Sequence, residues 1–412
     1  MTVPQEDRNG YHEKTPLERF RTKPKKPMSV TDLVSPAWCE LQYWYHLTKY
    51  GKVRATPAMK QGSSVHKVLE EQVHKAVPVE VVTKEDMFAL RIWNIIQGLR
   101  TLRATGMTRE FEVWAEIEGQ VVNGVIDELS YTCSDPNLEE SLESRRGKGS
   151  KKEKPLPTDQ KTMTDFFANR GATSLEEPSR AVTGLTPTYD KKVYVTDIKT
   201  RGSKTIPNSE ASLRGTYIQI SLYHRMLSLL ASNSVSADRV FERYTVDAKA
   251  TFSDTFIAEI GGLDYNFHPS ADVESNSAPF NSTQDSVEEL LAHNNLEKLW
   301  SLMQHEFALS IPMSETYSSM GEILRAEFRT PGTGAVIGAK TFMFDSKKLD
   351  LYVKDEMGWW KGQRATKGVD VEEAFKCRIC EFAEICTWRM DKVEQGLAKA
   401  KLRKEARRKS EV

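Results

Sequence analysis

The chain has 412 residues, 39% of them hydrophobic, which suits one large domain or two ordinary ones with a real core. Fifty-eight Lys and Arg balance 58 Asp and Glu, so there is no global basic field, and any nucleic-acid surface must be a local patch. No apolar run approaches the roughly 20 residues of a membrane helix. The opening MTVPQEDRNG is polar and acidic, unlike a secretory signal and a poor mitochondrial presequence.

Residues 1–27 are polar and Lys/Pro-rich and are expected to be disordered, with one main domain over 28–390. In SVTDLVSPAWCELQYWYHL, Ser35 can cap a helix with Pro36 at its first position and Cys39 in its first turn. GSSVHKVLEEQVHK reads as a second helix capped by Ser63 or Ser64, and DMFALRIWNIIQGLRTLRATG as a third ending at Gly106. REFEVWAEIEGQVVNGVIDELSYT alternates with period two around a Glu-Gly turn, which predicts a β-hairpin. About 134–190 is rich in Ser, Glu, Lys and Pro and reads as a disordered insertion; about 266–286 reads as a long loop. KKVYVTDIKT is a strand, RGTYIQISLYHRMLSLLA a helix, and 391–412 a basic tail. The order predicts an α/β fold with one mixed central sheet flanked by helices.

Period-two geometry puts Val193, Val195, Asp197 and Lys199 on one face, so this strand leaves the core and ends in an acid and a lysine. A strand-borne D-x-K is half of a PD-(D/E)xK nuclease signature. Its upstream carboxylate should end a neighbouring strand, as Asp127 does in NGVIDEL. Asp127 and Asp197 would hold Mg²⁺ or Mn²⁺, a hard cation that takes oxygen ligands and phosphate. Lys199 would offset developing charge and position a water. His66, on one helix face with Glu70, is a further candidate metal ligand; Gln219 and Tyr223, at i and i+4, could touch a nucleotide.

Five cysteines suggest metal binding before disulfides. Cys377, Cys380 and Cys386 crowd KCRICEFAEICTW. With a fourth thiolate they could hold Zn²⁺ or an iron–sulfur cluster, and C-x₂-C spacing suits both.

The motifs Gly62/His66/Glu70, Gly124/Asp127, Asp197/Lys199/Thr200 and Gln219/Tyr223, in this order, resemble the RecB-like PD-(D/E)xK nucleases. One cysteine before these motifs and three after resembles the AddB type. GWWKGQRATKGVDVEEAFKCRICEFAEICTWR together with SVTDLVSPAWCELQYWYHL is similar to eukaryotic exonuclease V. That resemblance implies a restriction-endonuclease-like core and a metal-dependent exonuclease specific for single-stranded DNA. It implies a [4Fe-4S] cluster on Cys39, Cys377, Cys380 and Cys386, stapling the two ends of the domain. In fungal members it implies a 5′-to-3′ direction and a mitochondrial role. Cys133 lies outside the pattern. Alternatives are a scaffold that binds DNA or a clamp on an inactive nuclease fold, or an endonuclease or RNase.

Arg201 and Lys204 directly follow the D-x-K strand and lead the candidate DNA contacts. Lys52, Arg54, Lys60, Arg214, Arg91, Arg100 and Arg103 are further basic candidates; Tyr43, Tyr45, Trp359 and Trp360 are candidate stacking surfaces or core. Within the insertion, Gln160, Met163, Phe166 and Phe167 fit Q-x-x-[ILM]-x-x-[FY]-[FY], which resembles the box that binds the sliding clamp (PCNA). RRGKGSKKEK just upstream resembles a nuclear localisation signal. The expected partners are single-stranded DNA, the clamp and a single-strand-binding protein. A monomer is expected, in mitochondrion or nucleus or both, with no membrane.

Overall fold

A computed structural model describes residues 14–54, 57–71, 79–149, 191–261, 282–314 and 317–410. In chain order it has α1 (Pro16–Phe20), β1 (Met28–Ser29), α2 (Val30–Val34), α3 (Glu40–Tyr50), α4 (Pro57–Glu71) and α5 (Lys84–Thr105). The hairpin β2 (Met107–Ile117) and β3 (Gln120–Ser130) follows, then α6 (Pro136–Gly149), β4 (Tyr194–Thr200) and α7 (Glu210–Ala231). After these come α8 (Ala237–Tyr244), α9 (Asp254–Gly261), α10 (Ser282–Ala292), α11 (Leu296–Ser310), β5 (Ile323–Arg329), β6 (Val336–Met343), α12 (Ser346–Trp360) and α13 (Thr387–Ser410).

The α/β class and the mixed sheet are as the sequence predicts. Glu118 and Gly119 both take positive φ, the tight turn that matches strand twist in a two-residue hairpin. The strand order is β1-β3-β4-β5-β6, with β2 paired to β3. β4 and β5 run parallel; the β2–β3, β3–β4 and β5–β6 pairs are antiparallel. β2 accompanies β3 from Gln120 to Ser130. On its other edge β3 is shared, because β1 pairs with Val122 and Asn123 and β4 with Glu128, Leu129 and Ser130. The sheet therefore forks between Gly124 and Asp127.

Helices cover both faces. Ile198 packs with Val65 and Leu69 of α4, whereas Lys199, one residue on and so on the opposite face, reaches Gln219 of α7. Behind the sheet, α5, α7 and α11 bury Trp93, Ile96, Leu222, Met226 and Phe307 in one core.

Several boundaries differ from expectation. Thr15 and Glu18 form a capping box for α1, and Arg21 chelates the buried Asp32, so order begins well before residue 28. Ser35–Ala37 is a separate 3₁₀ turn, and Cys39 is the N-cap of α3 rather than part of its first turn. Helix α4 starts at Pro57, which leaves Ser63 and Ser64 in its interior. The expected insertion opens with α6, which Glu139 ties to Lys192 and Tyr194. The expected loop ends early, at Ser282. The basic tail is helical.

Candidate functional site

The fork gathers the predicted residues. Beyond its last ladder pair with β3, β4 turns its Ile198 amide to the Asp127 carboxylate, donating to Oδ2 at 2.5 Å. Asp197 is fully buried. Lys199 Nζ lies 3.0 Å from both its oxygens and donates to Oδ1; Oδ2 accepts no hydrogen bond. Lys199 also donates to Gln219 Oε1 at 2.8 Å, and Gln219 Nε2 donates to the Tyr223 hydroxyl at 3.1 Å. Gln219 and Tyr223 thus brace the lysine from α7, and Tyr223 is buried.

Two motif glycines have steric reasons. A Cβ on Gly62 would lie 2.8 Å from Thr200 Oγ1, so its absence lets α4 close on β4. A Cβ on Gly124 would lie 2.7 Å from Val30 Cγ2 and 2.8 Å from Tyr223 Cε1, so the fork closes around a bare backbone.

His66 reaches in from α4. Its Nδ1 is 3.2 Å from Glu110 Oε1 and 3.6 Å from Asp127 Oδ1; its Nε2 is 3.1 Å from the Ile198 carbonyl. Hydrogen bonding to Glu110 raises its pKa against the opposing effect of burial, with Asp127 assisting. Burial first, and the neighbouring Asp197 second, push the Asp127 carboxyl up to about 7. Burial opposes the charge on Lys199, but Asp197 and Asp127 outweigh it and its pKa is raised.

Glu110 is the residue the sequence reading missed. It falls opposite Asp127 in the hairpin register, at a φ of 49° that a non-glycine residue adopts at some cost. The Glu-Gly turn fixes that register, so the pairing was available from the sequence. Among the described residues, His66, Glu110 and Asp127 are the one set offering three ligand atoms within 4.8 Å of one another. Beside this set, the buried Asp197 Oδ2 accepts no hydrogen bond and lies 3.0 Å from the Lys199 ammonium. The set of His66, Glu110 and Asp127, two carboxylates and an imidazole, fits a hard divalent cation.

The four cysteines Cys39, Cys377, Cys380 and Cys386 line one pocket, with Trp38, Tyr45 and Trp388 among its walls. All are unpaired, and Cys133 is not among the lining residues. Burial pushes Cys39 up to about 11 and raises Cys377 and Cys380, so these thiols hold their protons. Around the pocket the ends of the domain interlock. Glu40 accepts from Arg364 at 2.9 and 2.6 Å and from the Lys367 amide at 2.6 Å. Lys376 donates to the Trp38 carbonyl, and the Tyr45 ring lies 5.3 Å from that of Phe382.

Most other nucleic-acid candidates have structural duties instead. Arg91 pairs with Glu112, Arg100 with Glu289 and Glu306, Arg103 with Glu306, and Arg214 with Glu373. Tyr43, Trp359 and Trp360 are core, and the Tyr45 hydroxyl accepts from the Thr387 amide. The three core rings offer no stacking surface, because apolar burial already uses them. Lys52, Arg54 and Lys204 are exposed. Arg201 is half-buried over the Phe328 ring, and its Nε has no hydrogen-bond partner. The side chains of Lys60 and Glu70, and the residues Gln160, Met163, Phe166 and Phe167, lie outside those described.

Residues 15–389 match the family model described as "Exonuclease V - a 5' deoxyribonuclease". Exonuclease V of Danio rerio is 24% identical over 390 residues, spanning 93% of this chain and 76% of the relative. "Exonuclease V, mitochondrial" of Candida glabrata is 22% identical, spanning 90% and 81%, and that of Eremothecium gossypii is 21% identical, spanning 89% and 77%. These matches make the protein a hydrolase that acts on DNA. Within that class, the chain belongs to the exonuclease V family.

Proposed function

We propose that the protein degrades single-stranded DNA from an end, 5′ to 3′, by PD-(D/E)xK chemistry, in DNA repair or maintenance. The observation that carries this reading is the convergence of Asp127, Asp197 and Lys199 where the sheet forks. Asp127, Asp197, His66 and Glu110 would hold Mg²⁺ or Mn²⁺, which supplies phosphoryl polarisation and an acidified water when bound. His66 gives up the proton on one ring nitrogen to serve as a ligand. Lys199, charged and held by Asp197 and Gln219, faces the phosphate and offsets charge developing on its oxygens. Arg201 and Lys204 contact the strand just beyond. The test is Asp197→Ala on end-labelled linear and circular single strands with Mg²⁺. Linear strands should persist while binding is retained. Cutting at near wild-type rate, or attack on circles by the unaltered protein, overturns the assignment.

For the cysteines, a [4Fe-4S] cluster that staples the domain is supported by the gathering of Cys39 with Cys377, Cys380 and Cys386 around one pocket. Iron and sulfide analysis of anaerobically purified protein decides. The names of the fungal relatives support a mitochondrial site of action. The basic run and the clamp-like box favour a nuclear one. A clamp pull-down with Phe166→Ala/Phe167→Ala as control tests the box, and equal capture of both proteins would end that idea.

A further inference from the structure

Helix α13 is the most solvent-exposed element of the fold. Every residue from 389 to 408 is exposed, and at 24 residues the helix is about 36 Å long. Its composition changes along its length. Residues 389–398 carry Arg389 and Lys392 against Asp391 and Glu394, and are neutral. Residues 399–409 carry seven Lys/Arg and one Glu. Among the described residues, Lys399, Lys401, Arg403, Lys404 and Arg408 take part in no ion pair. A projecting helix with Gly396 at its middle and no buried face gains little from packing, and like-charge crowding in its outer half costs more. A polyanion laid along it would relieve that repulsion.

The root of the helix is fixed. Trp388 and Arg389 wall the cysteine pocket, and the Thr387 amide donates to Tyr45 of α3. From there exposed cations continue toward α4: Lys49 and Arg54 lie 5.1 and 5.0 Å from the Tyr50 ring, with Lys52 between them in sequence. That connection leads directly to the helix that carries His66.

We infer that the outer half of α13 is a second anchor for the DNA strand, binding its phosphates without regard to sequence and holding it while the site at the fork works on its end. The inference rests on the nuclease reading above. Phosphate contacts of this kind release counterions, each adding about 0.7 to the slope of log affinity against log salt for a single strand.

The test replaces Lys399, Lys401, Arg403, Lys404 and Arg408 together by Gln, in an Asp197→Ala background, and measures binding of a long oligonucleotide between about 50 and 200 mM salt. The slope should fall by about 3.5. A slope within about 0.7 of the parent overturns the anchor. In protein with Asp197 intact, the five changes should leave trinucleotide hydrolysis unaltered, since a trinucleotide engages the catalytic site alone. If the unaltered protein cannot cut any strand, the nuclease reading fails, and the slope still judges the helix. An unchanged slope with lost binding to anionic phospholipid vesicles would assign the helix to a membrane surface and refute the inference.

Discussion

Replacing Gly124 by Ala should injure the active site without touching a catalytic group. The new Cβ would sit 2.7 Å from Val30 Cγ2 and 2.8 Å from Tyr223 Cε1, whereas carbon atoms settle at about 3.5 Å or more. Something must therefore move by about 0.7 Å or more. Val30 and Tyr223 are both buried, so neither yields freely. Overpacking of this kind costs about 1–3 kcal/mol of stability. The larger effect should be kinetic. Tyr223 holds Gln219, which holds Lys199, and a displacement approaching 1 Å at a positioned group can cost about 100-fold. Steady-state hydrolysis should show kcat down by about 10- to 100-fold with KM little changed, beside a melting temperature lowered by a few degrees. Val30→Ala in the same chain reopens one side and should recover part of both losses. Tyr223→Phe keeps the ring and removes the hydroxyl, and should lower kcat less. A Gly124→Ala protein with unaltered kcat and melting temperature would refute the steric argument and the bracing role of Tyr223 together.

Glu110→Gln should raise the Mg²⁺ concentration needed for half-maximal activity by about tenfold or more; an unchanged titration would remove Glu110 from the metal site. Burial, then Glu40, pushes the Glu356 carboxyl up to about 8 from an ordinary 4.5. Its contribution to stability is full below 4.5 and is lost as pH rises to about 8. Glu356→Gln should flatten urea stability across that window and gain on the order of a few kcal/mol at its upper end; an identical pH slope in both proteins would contradict this. Under the proposed cluster assignment, Cys386→Ala should lose iron and lower the melting temperature of the whole domain, even though Cys386 lies away from the fork. Full iron content would exclude it as a ligand.

The hairpin, the β4 strand and the helix after it could be read from the sequence because each carries its own period and its own turn or cap. Asp127, Asp197 and Lys199 were readable for the same reason, since period-two geometry fixes which side chains share a face. Long-range partners were not. Arg100 meets Glu306 across 206 residues, and nothing local in its helix distinguishes a paired arginine from a free one. Trp359 and Trp360 present the same problem, because an aromatic pair serves equally as core or as stacking surface until its neighbours are known. Helix α6 was misread from composition. Its anchor is the Glu139 contact with Lys192 and Tyr194, more than fifty residues away. Glu110 was concealed by a strand in which glutamates simply alternate outward, and its role comes from an unusual φ and from the residue opposite.

The contact between Lys376 and the Trp38 carbonyl joins residues 338 apart. At a synthesis rate of about 5–20 residues per second, the segment around Trp38 leaves the ribosome roughly 20–70 s before its partner is made. Throughout that interval the Glu40 carboxylate lacks Arg364 and Lys367, the Tyr45 ring lacks Phe382, and the Cys39 thiol lacks the other three cysteines of its pocket. The nascent chain must therefore hold α3 unfinished until residues 364–387 emerge. Loop closure over so long a stretch makes contacts of this kind late to form. Conditions that starve or oxidise the growing chain should act on this delayed joint before they affect the central sheet, whose hairpin forms locally and early.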